Sequence, residues 1–145
     1  MSDGDRQTGS LTELISQYPD LCIAIGHFGM VTRDGWTEQI KLAKNKNVRI
    51  ESGGITWLFN EEFYPYPSAV RAIKEAADIC GYDKIMWGSD YPRTMVEITY
   101  KMSFDFVLKT DELSDSQKNA FLYENANTFY GFKGLKECEK IKHML

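Results

Sequence analysis

The sequence predicts an α/β fold built on a parallel sheet, and three observations lead to this class. Short apolar runs at residues 21–26, 48–52 and 84–88 have the length and composition of buried strands. Segments with helical spacing of apolar residues separate them, which is the order of right-handed β-α-β crossovers. A chain of 145 residues with 43% hydrophobic residues is long enough for one compact domain with its own core.

The first helix and the first strand are predicted near the amino-terminal end. Ser10 and Glu13 fit a capping box, which predicts a short helix that ends at about Gln17, before a Tyr-Pro-Asp sequence. Residues 21–26 are apolar without alternation, so we expect both faces of this strand to be covered. Cys22 then becomes a reduced core thiol.

The middle of the chain repeats the pattern. Apolar residues at helical spacing predict a helix over residues 36–44, and the strand at residues 48–52 then ends at two glycines. The aromatic-rich residues 55–67 are predicted to form a loop. Apolar residues on one helical face predict a helix over residues 68–80, with Gly81 just past its end.

Three helical segments are predicted after the third strand. Apolar residues between Met95 and Phe106 fall on one face of a helix, and Ser114 with Gln117 fits a second capping box. Residues 125–132 form a short helix with a glycine stop. We expect residues 1–132 to be one domain and residues 133–145 to be a helical or disordered terminal tail.

Composition excludes several classes of protein. The formal net charge of -4 and the absence of a basic stripe argue against a nucleic-acid partner. No apolar run approaches the roughly 20 residues that span a bilayer, and the polar start lacks a signal-peptide core, so we expect no membrane partner and a cytoplasmic location. Three widely spaced cysteines, with Cys22 and Cys80 in apolar patterns, argue against a disulfide framework or zinc ribbon.

Two ionisable side chains follow predicted strands directly. His27 ends the first strand and Asp90 follows the third, within the sequence Gly-Ser-Asp-Tyr-Pro. Catalytic groups of parallel-strand barrels lie at the carboxyl ends of strands, so both are candidates for chemistry. The alternatives are a structural acid that caps a helix or pairs with Arg93, and a hydrogen-bonded core histidine.

Four further residues are candidates for substrate binding. Arg33 and Arg93 lie in loops after strands, where a guanidinium can grip a substrate carboxylate; a solvated surface arginine is the alternative, and it applies above all to Arg33. Ser52 can bond to substrate or satisfy the turn at the following glycines. Trp57 and the aromatics after it can wall a pocket for a planar substrate, pack onto the fold, or contact another chain.

Five short motifs, in order, carry a resemblance to a known family. They are Tyr-Pro-Asp-Leu at 18–21, Ile-Gly-His-Phe-Gly at 25–29, Val-Arg-Ile-Glu-Ser-Gly at 48–53, Asp-Lys-Ile-Met-Trp-Gly-Ser-Asp-Tyr-Pro at 83–92 and Glu-Asn-Ala at 124–126. In this combination the chain resembles the C-terminal half of the amidohydrolase-related, metal-dependent hydrolases. Members of that family are (β/α)8 TIM barrels, so the resemblance implies a partial barrel.

The resemblance also implies roles for two residues. His27 and Asp90 match a strand-end histidine and a last-strand aspartate that bind a divalent metal, and the aspartate handles the proton of the attacking water. The family's His-x-His pair on the first barrel strand has no counterpart here. A catalytic zinc takes three protein ligands, so we expect this chain alone to bind zinc weakly or not at all.

The implied function is metal-dependent hydrolysis of a small carboxylated or cyclic substrate, incomplete in this chain alone. A homo-oligomer, or a missing N-terminal half, would then complete the site. A lactonase or a non-oxidative decarboxylase of the same superfamily remains an alternative within the enzymes. A truncated, non-catalytic domain that serves in binding or assembly is the alternative outside them.

Overall fold

The computed structural model describes residues 4–134 and is built around a three-stranded parallel sheet. The strands are β1 (Ile23–Ile25), β2 (Val48–Glu51) and β3 (Ile85–Met86), in the spatial order β1-β2-β3. Ile50 of β2 is aligned with Ile25 on one side and Ile85 on the other. The predicted α/β class with a parallel sheet is therefore confirmed.

Helices connect and extend the strands in the described residues. The α-helices are α1 (Gly4–Gln17), α2 (Trp36–Leu42), α3 (Ile55–Leu58), α4 (Pro67–Cys80), α5 (Met102–Lys109), α6 (Asp115–Asn119) and α7 (Asn125–Tyr130). Short 3₁₀ turns cover His27–Gly29, Tyr82–Lys84 and Arg93–Val96, and a π-helical turn over Ala120–Glu124 joins α6 to α7. None of these helices has the length and apolar character that a membrane crossing requires.

One contiguous core holds the sheet and the helices together. Its centre is formed by fully buried apolar side chains: Ile40, Ile50, Ile73, Ile85, Phe106 and Phe121. The backbone N–H of Trp87 donates to the carbonyl of Phe121 (2.8 Å), which attaches the end of β3 to the C-terminal helices. Buried Asn125 donates to the carbonyls of Tyr82 and Ile85 in the same region. The core thus fixes the carboxyl ends of the strands.

Two predicted helix signals are confirmed. The Ser114 hydroxyl accepts the Gln117 backbone N–H (3.3 Å), and the Gln117 side chain accepts the Ser114 N–H (2.8 Å), which is a complete capping box. Gly131 ends α7 with a left-handed backbone (φ 65°), as expected of a glycine stop. Helix α4 starts with Pro67 in its first turn, which places its start within one residue of the prediction.

Three helix predictions need correction. Helix α1 begins at Gly4, so Ser10 lies inside the helix and does not cap it. The single helix predicted between Met95 and Phe106 is wrong, because a 3₁₀ turn and α5 are separated there and the Met95 side chain is 46% exposed. The predicted loop over residues 55–67 begins with the short helix α3.

The prediction that both faces of the first strand are covered is wrong. Ala24 is exposed and Ile23 is partly exposed, so the helices of the described residues do not cover both faces of β1. Cys22 is exposed as well, which corrects its assignment to the core. Cys80 is partly buried, and burial raises the pKa of its thiol to about 11. Of the predicted tail, residues 135–145 lie outside the described residues.

Candidate active site at the carboxyl ends of the strands

His27 and Asp90 meet at one edge of the sheet. Since parallel strands end at the same edge, the residues that follow β1 and β3 come together there. His27 Nε2 lies 3.7 Å from Asp90 Oδ1, and the two side chains are 52% and 21% exposed. The two candidates that the sequence places 63 residues apart are therefore neighbours with access to solvent.

Both residues have an uncommon backbone conformation. The φ angles of His27 and Asp90 are 52° and 51°, in the left-handed region that side chains other than glycine rarely adopt. The loop at Asp90 is held by two hydrogen bonds from Thr94, whose N–H donates to the Asp90 carbonyl (3.0 Å) and whose hydroxyl donates to the Ser89 carbonyl (2.6 Å). Such conformations cluster at functional sites, where the surrounding structure maintains them.

Trp57 connects Asp90 to the rest of the site. Its indole Nε1 donates to Asp90 Oδ2 (2.9 Å), and its ring meets the His27 ring edge to face at 6.1 Å. The Arg93 guanidinium lies 5.9 Å from the centre of the Trp57 ring and forms its ion pair with Glu97 (3.6 Å). The alternative in which Asp90 pairs with Arg93 is therefore not what the structure contains.

Ser52 and Arg33 lie outside this group of side chains. Ser52 is fully buried, and its hydroxyl accepts the Gly88 N–H (3.3 Å), so it bonds to the segment after β3 and not to the turn at the following glycines. Arg33 is exposed in the turn after the His27 segment, and its guanidinium forms no hydrogen bond or ion pair within residues 4–134. Substrate binding by either residue stays a prediction.

Glu51 is part of the site and was not among the predicted residues. It is the last residue of β2, and its Oε1 accepts the backbone N–H of Gly53 (2.9 Å). Burial raises the pKa of the Glu51 carboxyl, while the Gly53 N–H and the nearby His27 oppose this shift and the Asp90 charge adds to it. An ionisable side chain at a strand end was the criterion that selected His27 and Asp90, and it applies to Glu51 as well.

The Glu51 carboxylate occupies space that only glycines leave open. A methyl group on Gly88 would lie 1.3 Å from Glu51 Oε1, and one on Gly53 would lie 2.9 Å from it. A methyl group on Gly26 would lie 3.6 Å from Glu51 Oε2. The carboxylate thus lies against the segments that follow all three strands, and close enough to His27 and Asp90 to interact with both electrostatically.

The described residues do not supply a complete zinc site. A catalytic zinc is held by three protein ligands and keeps one position open for water. No three His, Cys, Asp or Glu side chains of residues 4–134 come together in an arrangement suited to a metal ion. His27 and Asp90 provide two donors, and the second oxygen of Asp90 already accepts the Trp57 indole.

A cavity of about 440 Å³ opens beside the site. Apolar side chains of β1 and of α1, including Ile23, Ile25 and Leu11, line it, and His27 and Trp57 are part of the same lining. Its size is within the range of small-molecule pockets. A small organic substrate therefore has room next to His27.

The sequence as a whole matches one protein family. Residues 6–132 match the amidohydrolase family, so this chain belongs to it. This confirms the resemblance found in the five motifs. No curated protein matches the chain.

Solved structures show the same fold. An amidohydrolase from Burkholderia multivorans with bound zinc superimposes with a TM-score of 0.72 at 18% identity, over 88% of this chain and 50% of that one. A putative 2-pyrone-4,6-dicarboxylic acid hydrolase from Pseudomonas putida gives 0.65 at 23% identity, with the same coverage. A probable hydrolase of the same acid from Acinetobacter baumannii, with citric acid bound, gives 0.61 at 23% identity, over 86% of this chain and 50% of that one. The chain spans about half the length of these proteins, consistent with a partial barrel.

Proposed function

We propose that this chain carries the C-terminal half of a hydrolase active site, in which Asp90 is the general base and His27 its partner. The observation that carries the proposal is the convergence of the two side chains to 3.7 Å at the carboxyl edge of a parallel sheet. Membership of the amidohydrolase family supports hydrolysis as the class of reaction.

The geometry is suited to activation of a water molecule. Asp90 Oδ1 faces His27 and takes the proton of a water as the water oxygen forms a bond to a substrate carbonyl carbon. The intermediate then collapses, the bond to the leaving group breaks, and the proton returns to that group. The half-exposed His27 imidazole hydrogen-bonds to the reacting oxygen atoms from the other side.

A small carboxylated or cyclic substrate is supported by the surroundings of the site. The Arg93 side chain is 54% exposed above Trp57 and retains donors for a substrate carboxylate. Two of the solved relatives carry the name of a hydrolase of 2-pyrone-4,6-dicarboxylic acid, which is a cyclic ester with two carboxylates. A substrate of that chemical class is small enough for the cavity of about 440 Å³ that His27 lines.

A zinc-activated water would require donors beyond the described residues. His27 and Asp90 are the two donors that this half would contribute. We propose that a second polypeptide segment of similar size, called here the second body, completes the site, since the chain spans half the length of the solved structures that it resembles. A second copy of this chain, placed across the exposed edge of β1, would be such a body.

Hydrolysis by the purified chain tests the proposal directly. The wild-type chain is assayed on an aryl ester and on 2-pyrone-4,6-dicarboxylic acid, with and without added zinc. We expect Asp90→Asn and His27→Ala to lower kcat by about 10²-fold or more, the usual contribution of a positioned base. Asp111→Asn removes an exposed carboxylate from the loop between α5 and α6 and is the matched control.

The same assay separates the proposal from its alternatives. Full activity of Asp90→Asn would contradict the assigned role of the carboxylate. No turnover of either compound by a chain that self-associates, with or without zinc, would favour the non-catalytic domain. Release of carbon dioxide from the dicarboxylic acid, without ring opening, would identify a decarboxylase.

A further inference from the structure

The two oxygens of the Asp90 carboxylate have different partners. Oδ2 accepts the Trp57 indole N–H at 2.9 Å, within the range of a good hydrogen bond, and Oδ1 faces His27 Nε2 at 3.7 Å. Rotation of the carboxylate about its terminal bond would break the bond to Trp57. One oxygen is therefore held in place, and the other remains available at the open side of the site.

The Trp57 indole is itself fixed. A methyl group on Gly54 would lie 2.0 Å from Trp57 Nε1, so the N–H edge packs directly against the Gly54 backbone. Gly54 has a left-handed backbone (φ 75°) and precedes the first turn of α3, which carries Trp57. His27 at the edge of the ring and Arg93 near its face limit the remaining motion. A rigid donor of this kind can determine where the Asp90 oxygens point.

We propose that Trp57, besides lining the cavity, is a positioning residue for Asp90. The indole N–H makes a charge-assisted hydrogen bond to Oδ2 and thereby directs Oδ1 toward the reacting water and His27. The catalytic part of this inference rests on the proposed function. It assigns to Trp57 a role that acts through Asp90, in addition to its place in the cavity wall.

A double-mutant cycle measures this role. Hydrogen bonds to charged groups contribute about 1.5–3 kcal/mol, so we expect Trp57→Phe to lower kcat roughly 10- to 100-fold, with KM changed less than about twofold. In an Asp90→Asn background the same substitution should cause little further loss, because the base that it positions is absent. Two results would overturn the proposal and leave Trp57 with a role in the pocket lining alone. One is a rise in KM at constant kcat in Trp57→Phe, and the other is a loss of kcat that is equally large in the wild-type and the Asp90→Asn backgrounds.

A matched control removes another indole hydrogen bond. Trp87 donates to the carbonyl of Ser103 (3.1 Å) and lies at the end of β3, and Trp87→Phe makes the same chemical change there. We expect it to lower stability without selectively lowering kcat. If Trp87→Phe reproduces the kcat loss of Trp57→Phe, a general loss of packing explains both, and the positioning role is wrong.

A readout without turnover separates this inference from the proposed function. The Trp57 indole N–H resonance, identified by its loss in Trp57→Phe, should shift in Asp90→Leu, while the Trp36 and Trp87 resonances keep their positions. An unchanged Trp57 resonance in a folded Asp90→Leu variant would overturn the hydrogen bond and the inference with it. A shifted resonance together with full hydrolase activity of Asp90→Asn would leave the positioning of Asp90 intact and contradict the proposed function alone.

Discussion

At the scale of single residues, the absence of a side chain at Gly88 is as important for the site as the side chains that are present. The Glu51 carboxylate lies where a side chain at position 88 would begin, and it accepts the Gly53 N–H beside His27 and Asp90. The glycine of the Gly-Ser-Asp sequence thus leaves the space that a glutamate 37 positions earlier fills. Substitutions of Glu51 and Gly88 should therefore have non-additive effects on the free energy of unfolding.

The first prediction concerns this pair. Gly88→Ala forces the Glu51 carboxylate to move away from the Gly53 N–H, and the loss of such a hydrogen bond costs about 0.5–1.5 kcal/mol of unfolding free energy. Glu51→Ala makes room, so the double variant should recover most of the loss caused by Gly88→Ala. Urea unfolding of the four proteins gives the coupling free energy.

Gly9→Ala is the control for this cycle. Gly9 lies in α1, and a methyl group there has no neighbour within 4 Å, so the substitution should stabilise the helix by about 0.5–1 kcal/mol. Its effect should be the same with or without Glu51. Purely additive effects of Gly88→Ala and Glu51→Ala would show that the two residues are not in contact.

At the scale of elements, a sequence signal predicts the structure correctly where the group that it bonds to lies only a few residues away in the sequence. The Ser114 capping box and the glycine stop at Gly131 act within a few residues, and both are present. The start of α1 was missed because the helix extends past the Ser10 signal to Gly4, and an internal serine is tolerated in a helix. The separation of the turn at Arg93–Val96 from α5 depends on Thr94, which bonds to Ser89 and Asp90 in the preceding loop.

The site also contains some features that the sequence predicts and others that depend on contacts between residues far apart in the sequence. His27 and Asp90 follow from topology, because the residues after parallel strands meet at one edge. The bond between Trp57 and Asp90 spans 33 positions and depends on the direction in which α3 leaves β2, which no local pattern encodes. The packing of Glu51 against glycines of the neighbouring strands likewise becomes visible only once the register is known.

The two serines of the predicted capping boxes provide the second prediction. Ser114→Ala removes a cap that is present and should lower the unfolding free energy by about 1 kcal/mol. Ser10→Ala replaces a serine inside α1 with a better helix former and should be neutral or slightly stabilising. Thermal unfolding of the two variants beside the wild type tests the difference, and equal losses in both would contradict the assigned start of α1.

At the scale of the whole molecule, the outer edge of β1 has no neighbouring strand among the described residues. In the described residues β1 pairs with β2 alone, whereas the end of β3 is bonded to Phe121. Leu21 is 46% exposed beside this edge, and Cys22 and Ala24 are exposed as well. Exposed edges of this kind pair readily with other strands. The half-length match to the solved relatives is consistent with a second body at this edge.

The last prediction tests whether that body is a second copy of this chain. The wild-type chain should associate in a concentration-dependent manner, and Ala24→Lys should weaken the association at least about tenfold, because a lysine on an edge strand opposes pairing. Thr37→Lys adds the same charge at an exposed position of α2 and should have no effect. Sedimentation velocity over a range of concentrations measures both. A wild-type chain that stays monomeric at every concentration would exclude self-association and leave a different chain as the source of the other half. Association that Ala24→Lys does not alter would locate the contact away from β1.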